Sequence, residues 1–172
     1  MTEVTLILGG AASGKSLFAE RLIMDSGLKR HYIATAQTWD EEMEKKVLAH
    51  QKRRVGDWKV SETPLDPGAA IKASEPGEII LLDCATLWLS NIMLAEENVE
   101  QAIEDLINAV RNRRTPLVIV SNETGMGIVP ENRLGRAFRE AQGSLNQRLA
   151  EIADTAIMVV AGLPMVLKGA LK

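Results

Sequence analysis

The chain has 172 residues, enough for one domain with its own core and too few for two ordinary ones. Hydrophobic residues make up 46% and charged residues 25%, a globular balance that excludes a disordered or low-complexity chain. A formal net charge of −3 supplies no general attraction to nucleic acid or an anionic membrane, so an anionic ligand needs a local site.

Cys84 is the single cysteine, which excludes an intramolecular disulfide and a Cys-based zinc cluster and fits a reducing compartment. The start Met1-Thr2-Glu3 lacks the basic region of a secretory signal, and a cytoplasmic location is expected. The most apolar run, Ile79 to Ala95, carries Asp83, Ser90 and Asn91 and is shorter than the ~20 residues a membrane helix needs. It reads as a buried strand running into a helix, so no transmembrane segment is expected.

In chain order, Val4 to Leu8 reads as a buried strand and Ser16 to Ser26 as the following helix, stopped by Gly27. His31 to Thr35 is a second short strand. Asp40 to Arg54 reads as a charged helix, with Thr38 and Glu41 at capping-box spacing. Trp58 to Thr63 forms a further short strand, and Asp66-Pro67 opens a helix with proline in its first turn. Glu78 to Asp83 has a central-strand pattern, apolar until its last residue. Asn98 caps a helix whose apolar face is Val99, Ala102, Ile103, Leu106, Ile107 and Val110. Leu117 to Val120 is a buried strand, Arg133 to Ala153 a helix, and Thr155 to Val160 a last core strand. Strands alternating with helices predict an α/β, mainly parallel sheet with helices on both faces, in a single domain spanning residues 1–172.

The run Gly9, Gly10, Ala11, Ala12, Ser13, Gly14, Lys15, Ser16 satisfies G-x-x-x-x-G-K-[ST]. Its glycines let successive backbone N–H groups face one anionic centre. Lys15 then reaches the β- and γ-phosphates, the Ser16 hydroxyl joins Mg²⁺, and the helix N-terminus adds its dipole. Chance produces the pattern in only about one chain in a hundred or fewer of this length. Here it also lies between a predicted strand and a predicted helix, so a P-loop of RecA-like NTPase type is expected. Asp83, ending its apolar strand, is the candidate carboxylate for the Mg²⁺ shell. Cys84 beside it reads as a small buried residue.

Of the two histidines, His31 at a strand start is expected to have a surface or packing role. On the helix predicted from Asp40, residues Met43, Val47, His50 and Arg54 fall on one stripe. Lys46 lies one turn before His50, and Arg53 and Arg54 one turn after it. Neighbouring cations keep an imidazole neutral and nucleophilic, and the same cations would hold a triphosphate. Spacing alone leaves a solvated basic face carrying an ordinary histidine equally open.

Longer stretches resemble one family. They are the P-loop, Tyr32-Ile33-Ala34-Thr35-Ala36, His50 with Arg54 and Trp58, Leu82 through Asn91, and Ser121-Asn122-Glu123. The run Gly125 to Arg136, with Gly-Ile-Val-Pro inside it, is the most specific; Asn146-Gln147 and Gly162-Leu163-Pro164 follow. The pattern resembles the bifunctional adenosylcobinamide kinase / adenosylcobinamide-phosphate guanylyltransferase family of cobalamin synthesis, across nearly the whole chain.

The resemblance implies two reactions. ATP or GTP phosphorylates the aminopropanol hydroxyl of adenosylcobinamide; then a histidine takes GMP from GTP and passes it to adenosylcobinamide phosphate, giving adenosyl-GDP-cobinamide. It places His50 at the nucleophile position and implies nucleotide contacts at Ala34, Thr35, Ala36, Gln51, Lys52, Arg53, Arg54 and Glu62. It also implies a homotrimer. Two departures stand out: Ala12 and Gln51 replace basic residues usual in the family, so weaker nucleotide affinity with retained chemistry is expected. Competing readings are a P-loop small-molecule kinase without nucleotidyl transfer and a GTP-binding switch protein. The second lacks an Asn-Lys-x-Asp guanine motif, and Cys-Ala-Thr follows Asp83 where a switch has Asp-x-x-Gly.

Overall fold

A computed structural model describes residues 3–37 and 56–171. Its strands are β1 (Val4–Gly9), β2 (Lys29–Ala34), β3 (Trp58–Glu62), β4 (Glu78–Asp83), β5 (Leu117–Asn122), β6 (Thr155–Val160) and β7 (Leu163–Lys168). They form one sheet in the order β3-β2-β4-β5-β1-β6-β7. Every neighbouring pair is parallel except β6 and β7. The described helices are α1 (Lys15–Asp25), α2 (Pro67–Lys72), α3 (Ala85–Leu94), α4 (Val99–Arg111) and α5 (Arg133–Ile152).

A parallel sheet covered on both faces needs strands that are apolar at every position. β1 and β4 are buried throughout, and β5 up to its last residue. Because side chains alternate across a strand, Leu6, Leu8, Ile80 and Leu82 pack with Trp88, Leu106, Leu145 and Leu149 on one face. Ile7, Leu81, Val118 and Val120 pack with Ala19 and Ile23 of α1 on the other. Helix starts follow local chemistry. Asp66, Asn98 and Asn132 each accept a hydrogen bond from the backbone N–H three residues on, capping α2, α4 and α5.

The predicted elements on described residues are all present, with ends shifted by one or two residues. The predicted helix Asp40–Arg54, with Thr38 and Glu41, lies outside the described residues.

One feature departs from the sequence reading. β7 has no counterpart in it: Ala161 and Gly162, both at positive φ (51° and 78°), make a two-residue turn that pairs Val160 with Leu163. The strand is exposed at every position and contains Pro164, which an edge strand tolerates. Of the two roles expected for His31, surface or packing, the structure selects packing, with 1% of the residue exposed. Its Nδ1 lies 3.0 Å from Ser74 Oγ and its Nε2 2.8 Å from Ser61 Oγ.

Candidate active site

Parallel order brings the C-terminal ends of five strands to one edge, the location where open α/β sheets bind ligands. Gly9 pairs with Asn122, and Ala34 pairs with both Asp83 and Glu62. Residues dispersed from 9 to 122 are thereby placed side by side.

The loop from Gly9 to Ser16 leaves β1 and turns into α1, whose N-terminus therefore faces the same edge. At Gly9 the turn is packed too tightly for a side chain. A Cβ on Gly9 would lie 2.4 Å from Ser13 Oγ and 2.8 Å from the Val159 carbonyl oxygen. Gly14 takes φ 91°, and Gly162 closes against it from behind, donating its N–H to the Ser13 carbonyl at 2.8 Å. The Gly-Leu-Pro run noted in the sequence thus buttresses the loop.

Lys15 is half-buried and donates from Nζ to the Gly10 carbonyl at 3.0 Å. Burial lowers its pKa, against the opposing pull of Cys84 and Asp83. An ammonium parked on a loop carbonyl is free to transfer to a phosphate oxygen.

Ser16 Oγ lies 3.5 Å from Asp83 Oδ1, and Tyr32 Oη donates to Asp83 Oδ2 at 3.3 Å. A hydroxyl and a carboxylate are hard oxygen donors, the set that suits Mg²⁺ completed by substrate phosphates. Among the described residues no group of three or more His, Cys, Asp or Glu side chains is placed to hold a metal.

The Asp83–Cys84 peptide bond is cis, and Thr35 Oγ1 grips Cys84, accepting from its N–H at 2.9 Å and donating to its carbonyl at 2.8 Å. Burial, then the charge of Asp83, pushes the Cys84 thiol up to about 12, so it is a neutral packing group.

Ala34, Thr35 and Ala36 follow β2 at this edge, and Glu62 is exposed at the end of β3 beside them. The Thr35 hydroxyl is fully engaged with Cys84, so Thr35 shapes this turn through its backbone. His50, Gln51, Lys52, Arg53 and Arg54 lie outside the described residues.

Sequence reasoning assigned no role to several residues here. Tyr32 holds Asp83. Ser121 donates to Asn146 Oδ1 at 2.7 Å, and Gln142 Nε2 donates to both at 3.0 Å, in a buried network below the end of β5. The loop after β5 is tied to the P-loop by the Glu123 N–H donating to the Gly9 carbonyl at 3.0 Å. Arg136 and Arg139 of α5 hold the Pro130 and Gly125 carbonyls of that loop, leaving Met126, Ile128 and Val129 exposed.

The profile of the family described as cobinamide kinase / cobinamide phosphate guanyltransferase matches residues 5–167. The chain belongs to this family.

The "Bifunctional adenosylcobalamin biosynthesis protein CobP" of Pseudomonas aeruginosa is 43% identical over 167 residues, covering 95% of this chain and 96% of that one. The CobU protein of the same description from Salmonella typhimurium is 41% identical over 179 residues, covering 95% and 98%. Membership makes the chain an enzyme with cobinamide kinase and cobinamide phosphate guanylyltransferase activities.

Solved structures show the fold alone. A Pyrococcus horikoshii protein superposes with a TM-score of 0.57 at 11% identity, covering 99% of this chain and 88% of that one. A prototypical ATPase of a bacterial type III secretion system superposes at 0.50 and 10%, covering 95% and 56%.

Proposed function

We propose that this chain runs both family reactions from the edge built by the P-loop, Asp83, Ala34–Ala36 and Glu62. The observation that carries the reading is the convergence of Gly9, Asp83, Ala34 and Glu62 on the C-terminal ends of neighbouring parallel strands.

In the kinase step, the hydroxyl oxygen of the aminopropanol arm of adenosylcobinamide attacks the γ-phosphorus of ATP or GTP, and the bond to the bridging oxygen breaks. Lys15 and the amides of residues Gly9 to Gly14 stabilise the charge that develops on the phosphoryl oxygens. Ser16 and Asp83 would hold Mg²⁺, which supplies charge neutralisation at the β- and γ-phosphates when bound.

In the transfer step, His50 attacks the α-phosphorus of GTP and pyrophosphate leaves. A phosphate oxygen of adenosylcobinamide phosphate then displaces the histidine nitrogen, giving adenosyl-GDP-cobinamide. Gln51, Lys52, Arg53 and Arg54 would bind the triphosphate, with Ala34–Ala36 and Glu62 completing the nucleotide contacts.

The same reading takes residues 1–172 as one domain, working as a cytoplasmic homotrimer. Exposed Leu163, Met165 and Leu167 on β7 support assembly. No helix among the described residues is long and apolar enough to cross a membrane. The −3 charge gives no reason to expect nucleic acid as a partner.

The test is incubation with Mg²⁺ and GTP labelled at the α-phosphate, followed by denaturation, with His50→Ala in parallel. Acid-labile, alkali-stable label on the wild-type chain alone supports the guanylyl-histidine. Absence of label with GTP binding intact leaves a P-loop kinase without nucleotidyl transfer.

A further inference from the structure

α3 is an apolar helix, ATLWLSNIML, packed against the sheet. Asn91 sits in its buried part at 7% exposure, where a leucine would pack without any desolvation cost. Its amide nitrogen donates to the Thr35 carbonyl at 2.8 Å and to the Pro64 carbonyl at 3.0 Å. Both partners are acceptors, so only the NH₂ end of the amide fits there; a flipped amide would set three oxygens against one another.

The two carbonyls belong to different turns. Thr35 is in the turn after β2, and Pro64 follows β3. One turn of helix earlier, Trp88 Nε1 donates to the Leu65 carbonyl at 2.9 Å. The Thr63 N–H donates to the Ala34 carbonyl at 2.8 Å, closing the gap between the turns from the sheet side. β3 is the edge strand, paired only with β2 among the described strands. The ladder with β2 holds β3 itself, and side chains from α3 hold the turn that follows it.

We propose that Asn91 is a positioning residue for the guanine nucleotide: its amide locks the turn Ala34–Ala36 to the turn after Glu62, with Trp88 as second tie. The proposal rests on the reading of Ala34–Ala36 and Glu62 as nucleotide contacts. A single NH₂ group donating to two carbonyls ties the two turns together just past the last ladder pairs, Ala34 with Glu62 and Ala34 with Asp83. Loss of that lock leaves the P-loop and Asp83 in place and lets the nucleotide contacts drift.

The test compares Asn91→Leu, Asn91→Gln, Trp88→Phe and Glu62→Ala in the full chain. The readouts are the GTP dissociation constant, KM for GTP against kcat in guanylyl transfer, and the thermal melt. The expected result for Asn91→Leu is GTP binding and KM weakened about 10-fold or more, with kcat at saturating GTP nearly unchanged. Asn91→Gln, which still carries an NH₂ group, recovers part of the loss, and Trp88→Phe weakens GTP in the same direction. If Asn91→Leu does not fold, Asn91→Ser, smaller and without the amide, carries the same expectation. The proposal is overturned if Glu62→Ala weakens GTP and the Asn91 variants do not, or if those variants lower kcat with KM unchanged. If Glu62→Ala itself leaves GTP binding intact, the underlying site reading fails instead.

Discussion

Ser16 Oγ faces Asp83 Oδ1 at 3.5 Å, joining the first turn of α1 to the end of β4 across 67 positions of sequence. Tyr32 pins the other carboxylate oxygen from β2, so Asp83 is oriented rather than free to rotate. Asp83→Asn keeps the shape and the Tyr32 contact while removing the charge. The expected outcome is a loss of about 10- to 100-fold in kinase kcat and a higher Mg²⁺ requirement. A Mg²⁺ titration of the steady-state rate checks it, and chelation by EDTA should abolish activity in both proteins. An unchanged Mg²⁺ requirement would remove Asp83 from the metal site.

Ala12 occupies the left-handed region at φ 54°, where a Cβ costs roughly 1–2 kcal/mol. Ala12→Gly is therefore expected to stabilise the chain by about 1 kcal/mol, raising Tm by a few degrees in a scanning calorimeter. Ala12→Arg retains the strain and adds a cation to the phosphate loop. Its expected effect is tighter GTP binding, as for Gln51→Arg, and titration calorimetry reads it directly. Equal affinity in wild type and both arginine variants would refute the charge argument.

The Cys84 thiol, raised from 9.0 to about 12 by burial and by Asp83, links stability to alkaline pH. Its folded pKa exceeds the unfolded one, so the contribution is fully present below pH 9 and is lost as pH rises toward 12. The slope approaches about 1.4 kcal/mol per pH unit inside that window. Urea unfolding of wild type and Cys84→Ala between pH 8.5 and 10.5 should show the steeper fall in wild type. Thiol reagents should label Cys84 only after unfolding.

His31 links stability to acid pH. Burial, then the charge of Lys59, lowers its pKa below 6.5 against the attraction of Glu78, 3.6 Å from Nδ1. Glu78 stays ionised: burial pushes its pKa up, but the Glu75 N–H and the Lys59 ammonium pull it below the usual value. A depressed histidine contributes stability that is present above pH 6.5 and disappears as pH falls through its folded value. The drop in urea midpoint from pH 7 to pH 5 should be smaller in His31→Gln than in wild type. An equal drop in the two proteins would assign acid sensitivity to other groups.

Local chemistry determined most of the elements and half of the site. Glu78–Asp83 announces a buried strand because both sheet faces demand apolar residues, and Asp83 is legible as the polar residue that ends it. Asp66 and Asn98 cap helices because their side chains satisfy N–H groups three residues away. The P-loop is legible because its glycines and Lys15 act within eight consecutive residues, and the nucleotide contacts entered through a resemblance of longer stretches.

What the sequence could not reach are contacts whose energies depend on strand order. Nothing near Asn91 in sequence marks it as a donor to Thr35 and Pro64, 56 and 27 positions away. Nothing beside His31 marks Ser61 and Ser74 as its partners, since strand pairing brings one and α2 the other. β7 escaped although its run LPMVLK is largely apolar: Pro164 argues against a strand, and only the sheet order shows that it lies at an edge, where proline is tolerated. The sequence by itself determined most of the strands and helices and the loop from Gly9 to Ser16 proposed to hold the phosphates. Only the tertiary structure decided which turns are held together, because hydrogen bonds between distant segments are set by the sheet's order and carry no local signature.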